Sequence, residues 1–179
     1  MKSIFIPMLL AIPFANLWAQ ESLTFKQKTQ LTAGVSTTDA ANLGIRYRLN
    51  QSQLWCNIGV GGIGRYNRFF TIGPAFSQHL WGTSKNTDLK PWYVKLAFTG
   101  VSYSMQLTRL ERETAREVYT KVHLGRDFNI TKRAGVTVSV GPSGRVYRKW
   151  NRPYERAAKI DLINYASFDL NLYYRLQKI

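Results

Sequence analysis

The chain alternates apolar and polar residues with a period of two over most of its length, which predicts strands with two unlike faces. The first predicted strand, about 22–36, carries Leu23, Phe25, Leu31, Ala33 and Val35 on one face and Lys26, Lys28, Gln30 and Thr32 on the other. The second, about 41–50, sets Leu43, Ile45, Tyr47 and Leu49 against Gly44, Arg46 and Arg48, and a tight turn over 50–53 follows. The third begins at Leu54 and opposes Leu54, Cys56, Ile58 and Val60 to Asn57, Gly59 and Gly61. In the fourth, about 69–81, Phe70, Ile72, Phe76 and Leu80 oppose Thr71, Gly73, Ala75, Ser77 and His79, and a polar turn from Gly82 ends at Pro91.

The fifth strand, about 92–107, places Trp92, Val94, Leu96 and Phe98 on one face. Its parity then slips. A β-bulge at Thr99-Gly100 would let Val101, Tyr103 and Met105 continue the apolar face, and a turn splitting the segment is the alternative. The sixth, about 114–130, opposes Val118, Val122, Leu124, Phe128 and Ile130 to Tyr119, Lys121, His123 and Asp127. The seventh, about 134–148, opposes Val136, Val138 and Val140 to Thr137, Ser139, Gly141, Ser143 and Arg145. The eighth, about 160–177, opposes Phe168, Leu170, Leu172, Tyr174 and Leu176 to Ser167, Asp169, Asn171, Tyr173 and Arg175. Eight strands on short connections predict an antiparallel meander, and an even number lets the sheet close and lose its edges. The segment 106–117, the one stretch with a helical look, reads as a strand end and a loop.

The first residues alter the context of that barrel. Lys2, the uncharged and mostly apolar stretch from Ile4 to Leu17, and Leu17-Trp18-Ala19 have the form of a cleaved leader, with residues 1–19 removed and 20–179 forming the barrel domain. The apolar run is short for a membrane helix. The whole sequence has 25 Lys and Arg against 10 Asp and Glu, a net charge of +15. Such a surplus favours an anionic partner. Export argues against nucleic acid and for lipid phosphates. Cys56, the single cysteine, cannot form an intrachain disulfide and reads as a small apolar filler.

A soluble lipocalin-like barrel would turn its apolar face inward around a ligand, whereas an outer-membrane barrel turns it toward lipid. Three features favour the second. Most predicted strands reach the 9–11 residues that a tilted crossing needs. The odd connections (37–40, 62–68, 108–113 and 149–159) include the longer, more charged ones, as extracellular loops do, although the even turn 82–91 is also long. Aromatic residues gather near both ends: Trp55, Trp81, Trp92, Phe128 and Tyr174 at one, and Tyr66, Phe69, Tyr103, Tyr147 and Trp150 at the other. Trp55 has inward parity.

The expected architecture is therefore all-β, a single eight-stranded antiparallel up-and-down transmembrane β-barrel. The leader, the eight alternating segments and the ending Ala166-Ser167-Phe168-Asp169-Leu170-Asn171-Leu172-Tyr173-Tyr174 resemble the small outer-membrane β-barrel families of Gram-negative bacteria, which include the OmpA membrane domain, OmpX and PorT-like barrels. The resemblance covers the mature chain and is one of pattern. It departs at the end, since Gln177-Lys178-Ile179 replaces the terminal aromatic residue that many such proteins use in assembly. It implies residence in the outer membrane, contact with outer-membrane lipid including lipopolysaccharide, and a structural, adhesive or envelope-interaction role.

With the apolar face toward lipid, the lumen should contain Lys26, Lys28, Arg46, Arg48, Lys95, Lys121, His123, Arg145 and Arg175, with Glu117, Asp127 and Asp169. Eight strands enclose only enough room for side chains, so this charge should form a plug rather than a pore. Basic residues of the odd connections are candidate contacts for lipopolysaccharide phosphates or an acidic partner: Arg65, Arg68, Arg148, Lys149, Arg152, Arg156 and Lys159, together with Arg109, Arg112 and Arg116, which Glu111 and Glu113 partly balance; a solvated surface that simply tolerates charge is the alternative. Some barrels that the chain resembles modify lipid A with a His and a Ser on one strand. Ser77 and His79 share a face, but near the expected periplasmic end and in the order Ser-then-His, and His123 is expected mid-strand without a serine nearby. No catalytic residue is assigned, and no metal or cofactor motif occurs. The competing expectations are a membrane-anchored subunit of a larger envelope complex, a soluble lipocalin-like binder and a lipid A-modifying enzyme.

Overall fold

The computed structural model describes residues 28–62, 67–106, 112–150 and 164–176. The expected leader (1–19), the strand residues 22–27 including Lys26 and 160–163, Tyr66, and the loop residues Arg65, Arg109, Arg152, Arg156 and Lys159 lie outside the described residues.

The eight strands are β1 (Thr29–Ser36), β2 (Ala40–Leu49), β3 (Ser52–Gly61), β4 (Asn67–Trp81), β5 (Trp92–Gln106), β6 (Arg112–Asn129), β7 (Ala134–Trp150) and β8 (Asn164–Arg175). Each pairs antiparallel with its sequence neighbours, and β1 pairs with β8, so the sheet is a closed barrel with no free edge. One end carries the turns over 50–51, 82–91 and 130–133 and is called the turn end; the other is the loop end. A walk across the ladder from Gln30 passes Arg46, Trp55, Ala75, Ala97, Lys121 and Ser143 to Tyr165. Continuing the β8–β1 register returns it to β1 about ten residues further toward the loop end, a stagger that tilts the strands by about 40°.

The period of two decides which residues face the lumen. Leu43, Val60 and Leu172 are each about 60% exposed on the outer wall, whereas Arg46, Gln53, Ser77, His123 and Thr137 are fully buried inside. The polarity is thus the reverse of that of a soluble barrel with an apolar interior pocket. Cys56 also faces outward, within the apolar belt.

Two features of the ladder correct the expected pattern. The β5–β6 register runs unbroken from Trp92↔Arg126 to Gln106↔Arg112, so there is neither a bulge at Thr99-Gly100 nor a turn. Val101 is therefore buried in the lumen, and Gly100, Ser102 and Ser104 have the outward parity. The irregularities lie elsewhere. One, between His79 and Trp81, turns both Leu80 and Trp81 outward. The other shifts β7 against β6 between Val118 and Tyr119, so that Val146 and Tyr147 are both exposed and Arg148 opposes Glu117.

The aromatic residues sort accordingly. At the turn end Trp81, Phe128 and Tyr174 face outward, and Trp81 stacks on Trp92 with ring centroids 6.4 Å apart. Trp55 is inside, and Phe69 and Tyr103 do not join an outer belt either. Phe69 and Tyr103 pack together inside the loop end at 5.7 Å, where Gly61 leaves the space a Cβ would take from the Phe69 ring. Gly125 makes the same allowance for Tyr93.

Candidate functional site

The lumen is built in three tiers. Nearest the turn end, the segment 82–91 folds across the barrel mouth. Arg48 donates through Nη1 and Nη2 to the two carboxylate oxygens of Asp88, each at 2.8 Å, and through Nε to the Asn50 carbonyl at 2.8 Å. Gln51 binds the same segment at both the Asp88 carbonyl and the Lys90 amide. The His79 ring meets the Lys90 carbonyl, and Asn86 donates to the Asn129 carbonyl at 2.8 Å. Leu89, with 2% exposure, is the apolar stopper beneath these bonds. The length of this even turn, anomalous for a plain hairpin, is thus used as a plug. The Arg48 guanidinium holds the Asp88 carboxyl below the usual carboxylate range through those hydrogen bonds.

The second tier surrounds Arg46. Its Nη1 donates to Thr137 Oγ1 at 2.9 Å and lies 3.7 Å from Asp127, to which Thr137 in turn donates at 2.7 Å. Among the described residues its Nε and Nη2 find no hydrogen-bond acceptor, and the guanidinium lies over the Trp55 ring instead, 3.5 Å from the centroid. Trp55 is fixed by its Nε1–H donating to Ser77 Oγ at 2.9 Å. Ser77 and His79 therefore serve different partners and do not act as a pair. Arg175, beside Tyr173, donates to Asn129 and to the Lys132 carbonyl.

The third tier is mid-barrel. Lys95 donates to Asp169, and His123 Nδ1 lies 3.2 Å from the same carboxylate. The other ring nitrogen of His123, Nε2, meets Ser167 Oγ at 2.5 Å, and Ser139 Oγ is 3.1 Å from Nδ1. This corrects the view that His123 lacks a serine: strands β7 and β8 each supply one. The order Ser167, His123, Asp169 has the contacts of an acyl-transfer triad. Yet Ser167 is 1% exposed and His123 fully buried, so neither is open to a substrate. Above them Lys121 donates to Asp39 at 3.2 Å, and Glu117 is shared by Arg145, Arg148 and Tyr119.

Every lumen residue expected from the sequence that falls among the described residues is on the inner face. Of the candidate loop contacts, Arg148 is placed differently: the β7 irregularity brings it to Glu117, 3.1 Å away, so it belongs to the internal network. Arg68 and Lys149 lie on strands rather than on loops, exposed on the outer wall. Sequence reasoning missed Asp39 and Asp88, which are loop residues without strand parity, and Asn129, the last inward-parity residue of β6, which accepts from Tyr173 and Arg175. Among the described residues, no group of His, Cys, Asp and Glu is arranged to hold a metal ion.

No known family model matches the chain, and no curated protein matches its sequence.

Proposed function

We propose that the chain is an outer-membrane β-barrel with an occluded lumen, serving a structural, adhesive or envelope-interaction role through its cationic exterior. The observation that carries this reading is the inverted polarity. Large apolar side chains cover the outer wall from β1 to β8, while Arg46, Lys95, Lys121, His123, Asp127 and Asp169 are buried inside. Such a wall in water would expose far more contiguous apolar surface than a soluble monomer carries. The plug follows from the same inventory, since Arg46, Lys95, Lys121 and Arg145 lie against lumen carboxylates and the segment 82–91 covers the turn end.

The test is fractionation with heat-modifiable gel migration. Native protein should sediment with outer membranes and migrate differently before and after boiling. Recovery as a free periplasmic protein would overturn the reading. In planar bilayers the folded protein should add no steady conductance at neutral pH.

A further inference from the structure

One row of outward-facing residues crosses the ladder from Val35 through Ala41, Val60 and Phe70 to Ser102, Arg116 and Lys149. Because the stagger carries such a row toward the loop end, each step from β1 to β7 rises by about 3 Å. The row is apolar where it is low and turns to hydroxyl and cation where it is high. Arg68 stands two residues loopward of Phe70 on the same face and opposes Ser104. Arg68, Arg116 and Lys149 are exposed, and none pairs with a carboxylate among the described residues. Asp39, Glu117, Asp127 and Asp169 are all turned into the lumen, so among the described side chains no carboxylate of these strands offsets the three cations.

Directly beside this patch the outer wall has a groove of about 400 Å³, lined by Ala33, Ala41, Leu43, Ile58, Val60 and Phe70. The two alanines, set among larger neighbours, form the hollow. Phe70 is both the end of the groove and the register partner of Ser102 in the patch.

We infer that this face of β1–β7 is a binding site for the phosphorylated, acylated saccharolipid of the outer leaflet, with its phosphates on Arg68, Arg116 and Lys149 and an acyl chain in the groove. Cation, hydroxyl and apolar hollow follow one another in the order in which phosphate, sugar and acyl chain are met on entering a leaflet. Arginine forks suit phosphate oxygens, and cations at the headgroup level lose less to screening than cations in bulk solvent. The inference rests on the proposed membrane-spanning reading and replaces loop tips with a wall site.

The test is native mass spectrometry of the full barrel refolded in detergent, with bis-phosphorylated lipid A, its dephosphorylated form and phosphatidylglycerol offered separately. The wild-type protein should retain bis-phosphorylated lipid A. The double variant Arg116→Gln/Lys149→Gln should retain it at least about tenfold less, as should the wild type offered the dephosphorylated lipid. Ala41→Phe, which fills the groove, should weaken retention with every cation intact. Lys85→Gln/Lys132→Gln at the turn end should change nothing. Heat-modifiable migration confirms that each variant is folded. Equal retention by the double variant, or equal retention of phosphatidylglycerol, would overturn the inference. Failure of the wild type to become heat-modifiable or to insert into vesicles would instead overturn the membrane-spanning reading beneath it.

Discussion

The Arg46 guanidinium stands 3.5 Å above the centre of the Trp55 ring, and this contact joins β2 to β3 inside the barrel. Both side chains are closed off from solvent, and Trp55 is tied through Ser77 to β4 as well. Trp55→Ala should cost about 3–5 kcal/mol, because it leaves a cavity and uncovers a buried cation. Trp55→Phe keeps a ring under Arg46 and loses only the bond to Ser77, so its cost should be nearer 1 kcal/mol beyond the lost volume. Urea unfolding of the refolded protein in vesicles, followed by gel migration, measures both.

The Arg48–Asp88 pair should act as a latch on the turn-end plug rather than as a large stabiliser. The Asp88 side chain is 70% exposed, so its removal should cost the whole barrel no more than about 1 kcal/mol. Its sign with pH is fixed by the direction of the shift. Asp88 is held below its ordinary value in the folded state, so the pair is fully present at neutral pH and is lost as the pH falls below about 4. Limited proteolysis within 82–91 should rise on that acid side in the wild type, whereas Asp88→Asn should be cleaved at the same raised rate at every pH.

The fold was legible from period-two patterning because strand faces alternate with the chain and nothing local competes with them. Where the pattern failed, the ladder had overruled it. On β5 the continuous register with β6 holds Val101 and Tyr103 inward, where Tyr103 packs on Phe69. An apolar residue in a lumen is no offence to the fold when it fills volume, so hydrophobicity alone could not assign it a side. Arg148 was legible as a cation but not as an internal one, since its side depends on one extra residue in β7. The cluster of Ser167, His123 and Asp169 was hidden for another reason: its members are joined through a closed barrel across 44 residues of sequence.

The mid-barrel cluster should behave as a structural network. Asp169→Asn leaves the Lys95 ammonium buried without its carboxylate and removes the partner of His123, which should cost about 3–5 kcal/mol. His123→Gln, which can still reach a serine hydroxyl, should cost less. A fluorophosphonate probe should leave Ser167 unlabelled in the folded wild type, since its hydroxyl is enclosed. Labelling that disappears in both Ser167→Ala and His123→Gln would show instead that the triad contacts are open to substrate.

The apolar belt allows the most direct test of the membrane reading, because outward and inward sites alternate on one strand. Leu124 is 45% exposed on the outer wall of β6, between the buried His123 and the lumen-facing Gly125. If lipid surrounds the wall there, Leu124→Arg should destabilise the barrel by about 2–4 kcal/mol in vesicles. Thr114→Arg, near the loop end of the same strand and on the same face, should cost no more than about 1 kcal/mol, because it lies close to the interface. In water the two substitutions would be equally harmless, as exposed cations on a strand surface. A depth-dependent difference in urea unfolding from vesicles therefore supports a spanning barrel, and equal values for the two variants would count against one.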